Sequence, residues 1–111
     1  MTVLFIGGTH QGKAALARAL YPALPLAENL HTRVQEELAA GRDPMALLDT
    51  MRDCAITCDE VGCGVIPIDR ADEAYREAVG RLCCAIAAEV DAVIRVTAGI
   101  PQFIKGENPC I

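Results

Sequence analysis

The sequence predicts one α/β domain with a small, mostly parallel sheet. Residues 2–6, 54–58 and 91–97 are short apolar runs with the composition of buried strands. Between them lie segments with helical periodicity, the longest of which covers residues 70–89. Because strands and helices alternate along the chain, we expect parallel strands joined by right-handed crossovers.

Length and composition limit the classes of protein that fit. A chain of 111 residues with 52% hydrophobic residues can bury one core, which we place in residues 1–106, before a polar tail over 107–111. The formal charge of −5, with no cluster of Lys and Arg, argues against a nucleic-acid partner. No apolar run is long enough to cross a bilayer, and the N-terminus lacks the basic flank of a signal peptide. We therefore expect a cytoplasmic protein without a membrane partner.

The first strand and helix are separated by a glycine turn. The strand at residues 2–6 ends at Gly7-Gly8, and helix formers follow from Gly12. Pro22 and Pro25 are expected to stop that helix.

A second helix is expected to begin after a cap at Asn29. Gly41 is placed to end it, and Asp43-Pro44 is typical of a new cap followed by a first-turn proline. The apolar stripe of this helix comprises Leu30, Val34 and Leu38.

The second half is expected to contain the longest helix and the sheet's last strands. Residues 61–68 contain two glycines and a proline, which predicts a loop, and Asp69 is expected to cap the helix over 70–89. Residues 91–97 form the next strand, and 101–105 a short edge strand. The apolar stripe predicted for the long helix comprises Tyr75, Ala78, Val79, Leu82, Cys83 and Ile86.

Residues 7–13 fit the phosphate-loop pattern G-x-x-x-x-G-K between a predicted strand and a predicted helix. Glycines allow the backbone to curl so that successive N–H groups point at phosphate oxygens, and the helix N-terminus adds the positive end of its dipole. Lys13 is expected to reach the outer phosphates. A simple glycine turn is the alternative. The predicted nucleotide-binding residues are Gly7, Gly8, Thr9, His10, Gln11, Gly12, Lys13 and Ala14.

Ala14 departs from the motif, because a Ser or Thr hydroxyl at this position ordinarily ligates Mg²⁺. Asp59 and Glu60 follow the predicted strand 54–58, and carboxylates at such strand ends face the ligand crevice of an α/β sheet. We expect one of them to hold Mg²⁺ instead. A solvated turn is the alternative.

Residues 60–67 resemble a signature of the adenosylcobinamide kinase/adenosylcobinamide-phosphate guanylyltransferase family, Glu-Val-Gly, a variable residue, Gly, two aliphatic residues and Pro. Residues 69–70, 75–82, 98–101 and 104–105 are similar to later family segments in the same order. The resemblance covers residues 3–20 and about 54–106.

The resemblance implies a three-layer P-loop NTPase-like fold and a homo-oligomer. It implies a kinase that phosphorylates cobinamide with GTP or ATP and Mg²⁺, and a guanylyltransferase that transfers GMP to the product through a guanylylated histidine, in cobalamin biosynthesis. His31 lies roughly where the family places that nucleophile, and an exposed helix residue is the alternative reading.

Two departures keep other functions open. No convincing counterpart of the family's central strand and second acidic motif is found over residues 25–52, and the basic, Trp-containing surroundings of the nucleophile are absent. One alternative is therefore a truncated paralogue that binds nucleotide or a partner without catalysis. Another is a small metal or redox protein using Cys54, Cys58 and Cys63. We expect Cys54, Cys58, Cys83 and Cys84 to be buried free thiols.

Overall fold

The computed structural model describes residues 1–8, 10–60 and 70–109, with only the backbone described at Arg70 and Ala71. The elements closely follow the predicted order. They are β1 (Val3–Gly7), α1 (Lys13–Leu20), β2 (Leu26–Ala27), α2 (Leu30–Ala39), a 3₁₀ helix (Pro44–Thr50), β3 (Ala55–Asp59), α3 (Arg70–Glu89), β4 (Ala92–Thr97) and β5 (Ile100–Lys105).

Within the described residues, one sheet of five strands has the order β2-β3-β1-β4-β5. Strand β1 is parallel to both β3 and β4, β2 is parallel to β3, and β5 pairs antiparallel to β4 at the edge. The prediction of an α/β fold with a mostly parallel sheet is confirmed. In this order the carboxyl ends of β1, β3 and β4 meet at one edge of the sheet, and the phosphate-loop sequence begins there.

Strand β2 was not predicted. It has two residues, too few to show a period, and it exists because Leu26 pairs with Ala55 of β3 while the Ala55 N–H donates to the Pro25 carbonyl at 2.8 Å. A strand of this kind depends on its neighbour and leaves no pattern of its own in the sequence.

Alternating side chains of the central strands supply two cores, one on each face of the sheet. Leu4 and Ile56 pack with α2, α3 and the 3₁₀ helix. Val3 and Phe5 pack on the other face with α1, where the Phe5 and Tyr21 rings meet edge to face with centroids 6.1 Å apart. Burial on both faces explains why these strands are largely apolar. The predicted stripes of α2 and α3 are confirmed, since all of their named residues are buried in the first core or packed against it.

The predicted ends of α2 are confirmed only in part. Gly41 has φ +73°, its N–H donates to Leu38, and the Arg42 N–H donates to Glu37, which is the paired bonding that commonly ends a helix. Asn29 precedes the helix but its side chain makes no capping hydrogen bond. Its φ is +58° and its backbone N–H donates to Thr57 Oγ1 at 3.0 Å, so Asn29 joins α2 to β3 instead.

The Asp43 side chain accepts from the Met45 N–H at 3.0 Å, as expected of a cap, although the helix that follows is a 3₁₀ helix. Cys84 is exposed, so its predicted burial is wrong; it lies outside the apolar stripe of α3.

The predicted loop 61–68 and the cap at Asp69 lie outside the described residues. Within the described part, no helix is both long and apolar enough to span a membrane.

Candidate phosphate-binding site

The loop after β1 depends on Gly7 and Gly12. A Cβ on Gly7 would lie 2.5 Å from the Val96 carbonyl oxygen, so only glycine lets β1 and β4 approach this closely. Gly12 has φ +87° and His10 has φ +60°, so the loop turns twice through the left-handed region. Such turns can gather backbone N–H groups into a concavity that suits an anion. Thr9 lies outside the described residues.

Gln11 ties this loop to the turn between β4 and β5. Its side-chain oxygen accepts from the Ala98 N–H, and its backbone carbonyl accepts from the Gly99 N–H at 2.9 Å. Ala98 and Gly99 have φ values of +51° and +75°, the two positive angles expected of a tight hairpin turn. The Gln11 side-chain oxygen therefore contacts the hairpin and holds the loop against it.

The N-terminus of α1 opens onto a cleft of about 240 Å³. The helix begins at Lys13 after an N-cap glycine that has no side chain, and the Leu16 N–H donates to the Gly12 carbonyl at 3.0 Å. The N–H groups of the first turn have no acceptor within the helix, which favours an anion at this end. The lining residues are His10, Gln11, Gly12, Lys13, Ala14, Ala15, Glu28, Asn29, Thr57 and Asp59.

Lys13 is the buried cation of the cleft, with its side chain 7% exposed. Its Nζ lies 2.8 Å from the Gly8 carbonyl oxygen, 3.3 Å from that of Gly7, and 2.7 Å from Asp59 Oδ1. These three acceptors match the three protons of the ammonium group. Asp59 extends from the end of β3, the strand that pairs with β1, so the sheet itself brings the two charges together.

His31 contacts Asp59 through both ring nitrogens. The Asp59 backbone N–H donates to Nδ1 at 3.0 Å, and Nε2 lies 3.4 Å from Oδ2. Because Nδ1 accepts, this network assigns the proton of the neutral ring to Nε2. The side chain is 16% exposed, so the alternative of an exposed helix residue is wrong. Asp59, Lys13 and His31 form one connected cluster, which we call the Asp59 cluster.

Glu60 is oriented differently from Asp59. Its backbone N–H donates to the Gly7 carbonyl at 2.8 Å, and its carboxylate pairs with Arg95 of β4 at 3.0 Å. Asp59 lines the cleft and Glu60 does not, so Asp59 is the better placed of the two predicted metal ligands. Ala14 also lines the cleft and brings no oxygen to it.

The cysteines do not gather around a metal in the described ranges. No group of three metal-binding side chains occurs there, although Cys63 is not covered. Cys58 of β3 and Cys83 of α3 face each other with their sulfur atoms 3.6 Å apart. The hydrogen bond with Cys83, together with burial, raises the pKa of the Cys58 thiol. Cys58 is therefore a packed, protonated thiol directly behind the Asp59 cluster.

A comparison with protein families shows the family of the chain. A model of the family described as cobinamide kinase / cobinamide phosphate guanyltransferase matches residues 25–104. The chain belongs to this family. Membership of this family implies kinase and transferase activity in cobalamin biosynthesis. No curated protein sequence matches the chain significantly.

The extent of the match differs from that of the resemblance in the sequence. It begins at residue 25 and includes residues 25–52, the segment in which we found no convincing counterpart of the family's central strand and second acidic motif. It does not include the phosphate-loop sequence at residues 7–13, whose interpretation rests on the motif and on the geometry above.

Several cleft residues were missed by sequence reasoning. Glu28 and Asn29 follow the two-residue strand β2, and Thr57 lies in the middle of β3, positions that carry no motif. Arg95 is the one charged residue in the predicted strand 91–97 apart from Asp91 at its start. This charge within an otherwise apolar strand was the feature from which an acidic partner, here Glu60, could have been predicted.

Proposed function

We propose that this protein is an active cobinamide kinase and cobinamide-phosphate guanylyltransferase, with a three-layer P-loop NTPase-like fold, that uses GTP or ATP. The observation that carries the proposal is the buried Lys13 at the N-terminus of α1, beside a carboxylate in a cleft lined by the loop. Family membership supports cobinamide as the second substrate.

Lys13 exchanges partners when nucleotide binds. In the structure its ammonium group is neutralised by Asp59 and two loop carbonyls. Phosphate oxygens are stronger acceptors than carbonyls and carry more charge, so they displace the carbonyls and draw Lys13 into the cleft. The first-turn N–H groups of α1 then bind the same phosphates. Positioning and charge stabilisation of this kind are the main requirements of phosphoryl transfer.

Asp59 is the residue that would hold Mg²⁺. It lines the cleft, and its carboxylate suits a hard cation. The ion, when bound, neutralises charge on the phosphates. Glu60 remains a candidate only if its pair with Arg95 opens. Ala14 has no side-chain oxygen and would contribute no ligand to the ion.

His31 has two alternative roles, as the acceptor of the guanylyl group or as a residue that positions Asp59. As the guanylyl acceptor, its ring would attack the α-phosphorus and release pyrophosphate, which requires a nitrogen lone pair. The lone pair on Nδ1 accepts from the Asp59 N–H, so that bond must open first. As a positioning residue, His31 would hold Asp59 through both nitrogens without contacting substrate. An acid-labile label transferred from α-³²P-GTP to the wild type and absent in His31→Gln supports the acceptor role.

The second candidate is a nucleotide-binding module without turnover. Ala14 favours it, because a residue without a side-chain oxygen lines the cleft at the position where a metal-binding hydroxyl is usual. Such a protein binds GTP or ATP through the loop but forms no cobinamide phosphate. Assay of cobinamide turnover therefore separates the two candidates after binding has been measured.

The deciding experiment is calorimetric titration with GTP and with ATP, with and without Mg²⁺. Lys13→Met removes the ammonium group and keeps an unbranched side chain. Lys105→Met is the matched control, since Lys105 is the other lysine of the chain and its Nζ caps the α3 carbonyls of Ala87 and Ala88. We expect binding by the wild type and Lys105→Met and at least about a tenfold loss in Lys13→Met. Equal binding by all three proteins, or none by the folded wild type, would refute the phosphate site.

A further inference from the structure

Two thiols meet behind the candidate site on different elements of the fold. Cys58 is the residue before Asp59 on β3 and is fully buried, whereas Cys83 lies on α3 and is half-buried. Their sulfur atoms are 3.6 Å apart. In a disulfide the separation is about 2.0 Å, so side-chain rotation and a small shift of β3 towards α3 would close the gap.

We propose that Cys58 and Cys83 form a reversible intramolecular disulfide in exchange with a low-molecular-weight disulfide such as oxidised glutathione. Neither cysteine lines the cleft of the phosphate site. The site is a pair of thiols held in contact by the packing of α3 on β3, and its reactive partner is a small disulfide.

The difference in burial sets the order of the reaction. The half-buried Cys83 thiolate attacks one sulfur of the small disulfide, which forms a mixed disulfide and releases one small thiolate. Cys58 then attacks Cys83 Sγ and passes its proton to the departing small thiolate, which leaves as the second small thiol. Two S–H bonds and one S–S bond break, while one protein S–S bond and two small thiols form. The protein pair is oxidised, and the small disulfide takes up the electron pair.

The cross-link would act at the residue next to the Asp59 cluster. Cys58 Sγ also lies 3.5 Å from the Asp59 carbonyl oxygen, and the Asp59 N–H donates to His31. Pulling the end of β3 towards α3 therefore shifts the backbone that carries Asp59. This inference concerns the thiols alone and does not depend on the proposed function, so its test needs no nucleotide.

The test equilibrates the reduced full-length protein in glutathione mixtures of increasing oxidised fraction, then traps free thiols and maps the cross-linked peptides. Cys84→Ser is the matched control for Cys83→Ser, because Cys84 is the exposed neighbour on the same helix. We expect one cross-link, between Cys58 and Cys83, in the wild type and in Cys84→Ser, reversed by dithiothreitol and lost in Cys83→Ser.

Unfolded protein serves as a second control that needs no variant. In concentrated urea Cys58 and Cys83 are no longer held together and compete with the other four cysteines of the chain, so we expect the yield of this cross-link to fall by at least about tenfold. Bridges to other cysteines at equal yield, mixed disulfide on Cys84 with Cys58 still reduced, or the same yield in urea would each overturn the proposal.

Discussion

The pair between Lys13 and Asp59 is the interaction whose removal tests the site most directly. Both side chains are largely shielded, 7% and 18% exposed, and the charged atoms are 2.7 Å apart. Asp59→Asn keeps the shape of the side chain and an acceptor oxygen but removes its charge, which leaves the Lys13 ammonium group buried beside neutral acceptors only, among them the two loop carbonyls.

The magnitude follows from what remains around the ammonium group. Removing one partner of a buried ion pair costs ~3–5 kcal/mol. Because two carbonyls still accept from Lys13 and Asp59 is partly exposed, we expect the free energy of unfolding to fall by about 2–3 kcal/mol. With a urea dependence typical of small domains, this lowers the midpoint of unfolding by roughly 1–2 M.

A double-mutant cycle separates this pair from the other contacts of Asp59. Lys13→Met, Asp59→Asn and the double variant are unfolded in urea, and we expect a coupling energy of about 1–3 kcal/mol. The control cycle uses Glu60→Gln and Arg95→Met. These two side chains are more exposed, Glu60 at 22% and Arg95 at 47%, so their coupling energy should be less than about 1 kcal/mol. Losses that simply add in the first cycle, or equal coupling in both cycles, would show that Lys13 and Asp59 do not form the buried pair.

Two further predictions concern the backbone and pH. Gly7→Ala places a Cβ 2.5 Å from the Val96 carbonyl oxygen, so it should lower the free energy of unfolding by at least about 2 kcal/mol. Gly80→Ala lies in open space within α3 and should raise the free energy of unfolding by about 0.5–1 kcal/mol in the same urea assay. Two equal effects would be inconsistent with the tight approach of β1 and β4. The hydrogen bond from Arg42 lowers the pKa of Glu37 in the folded state. The pair therefore stabilises the fold at pH values above the unfolded pKa of Glu, about 4.3, and this stabilisation is lost as the pH falls through the lower pKa of the folded state. The difference in urea midpoint between wild type and Arg42→Met should therefore shrink on acidification, and a difference that is constant with pH would contradict this.

The sequence by itself determined the order of elements and the phosphate-loop motif. Residues 2–6, 54–58 and 91–97 are largely apolar because both faces of the central strands are mostly buried, and the stripe of α3 has the period of a helix packed on one side. Gly41 and Asp43 act through neighbours one to four residues away, and such local bonding leaves a signature in the sequence.

The tertiary structure alone decided which of these residues meet. Lys13, His31 and Asp59 are far apart in sequence, and only the parallel pairing of β1 with β3 and the packing of α2 beside β3 bring them into one cluster. The same holds for Cys58 with Cys83 and for Gln11 with the β4–β5 turn. Periodicity reports whether a side chain is buried but not which distant side chain it touches, because that choice depends on strand order and register.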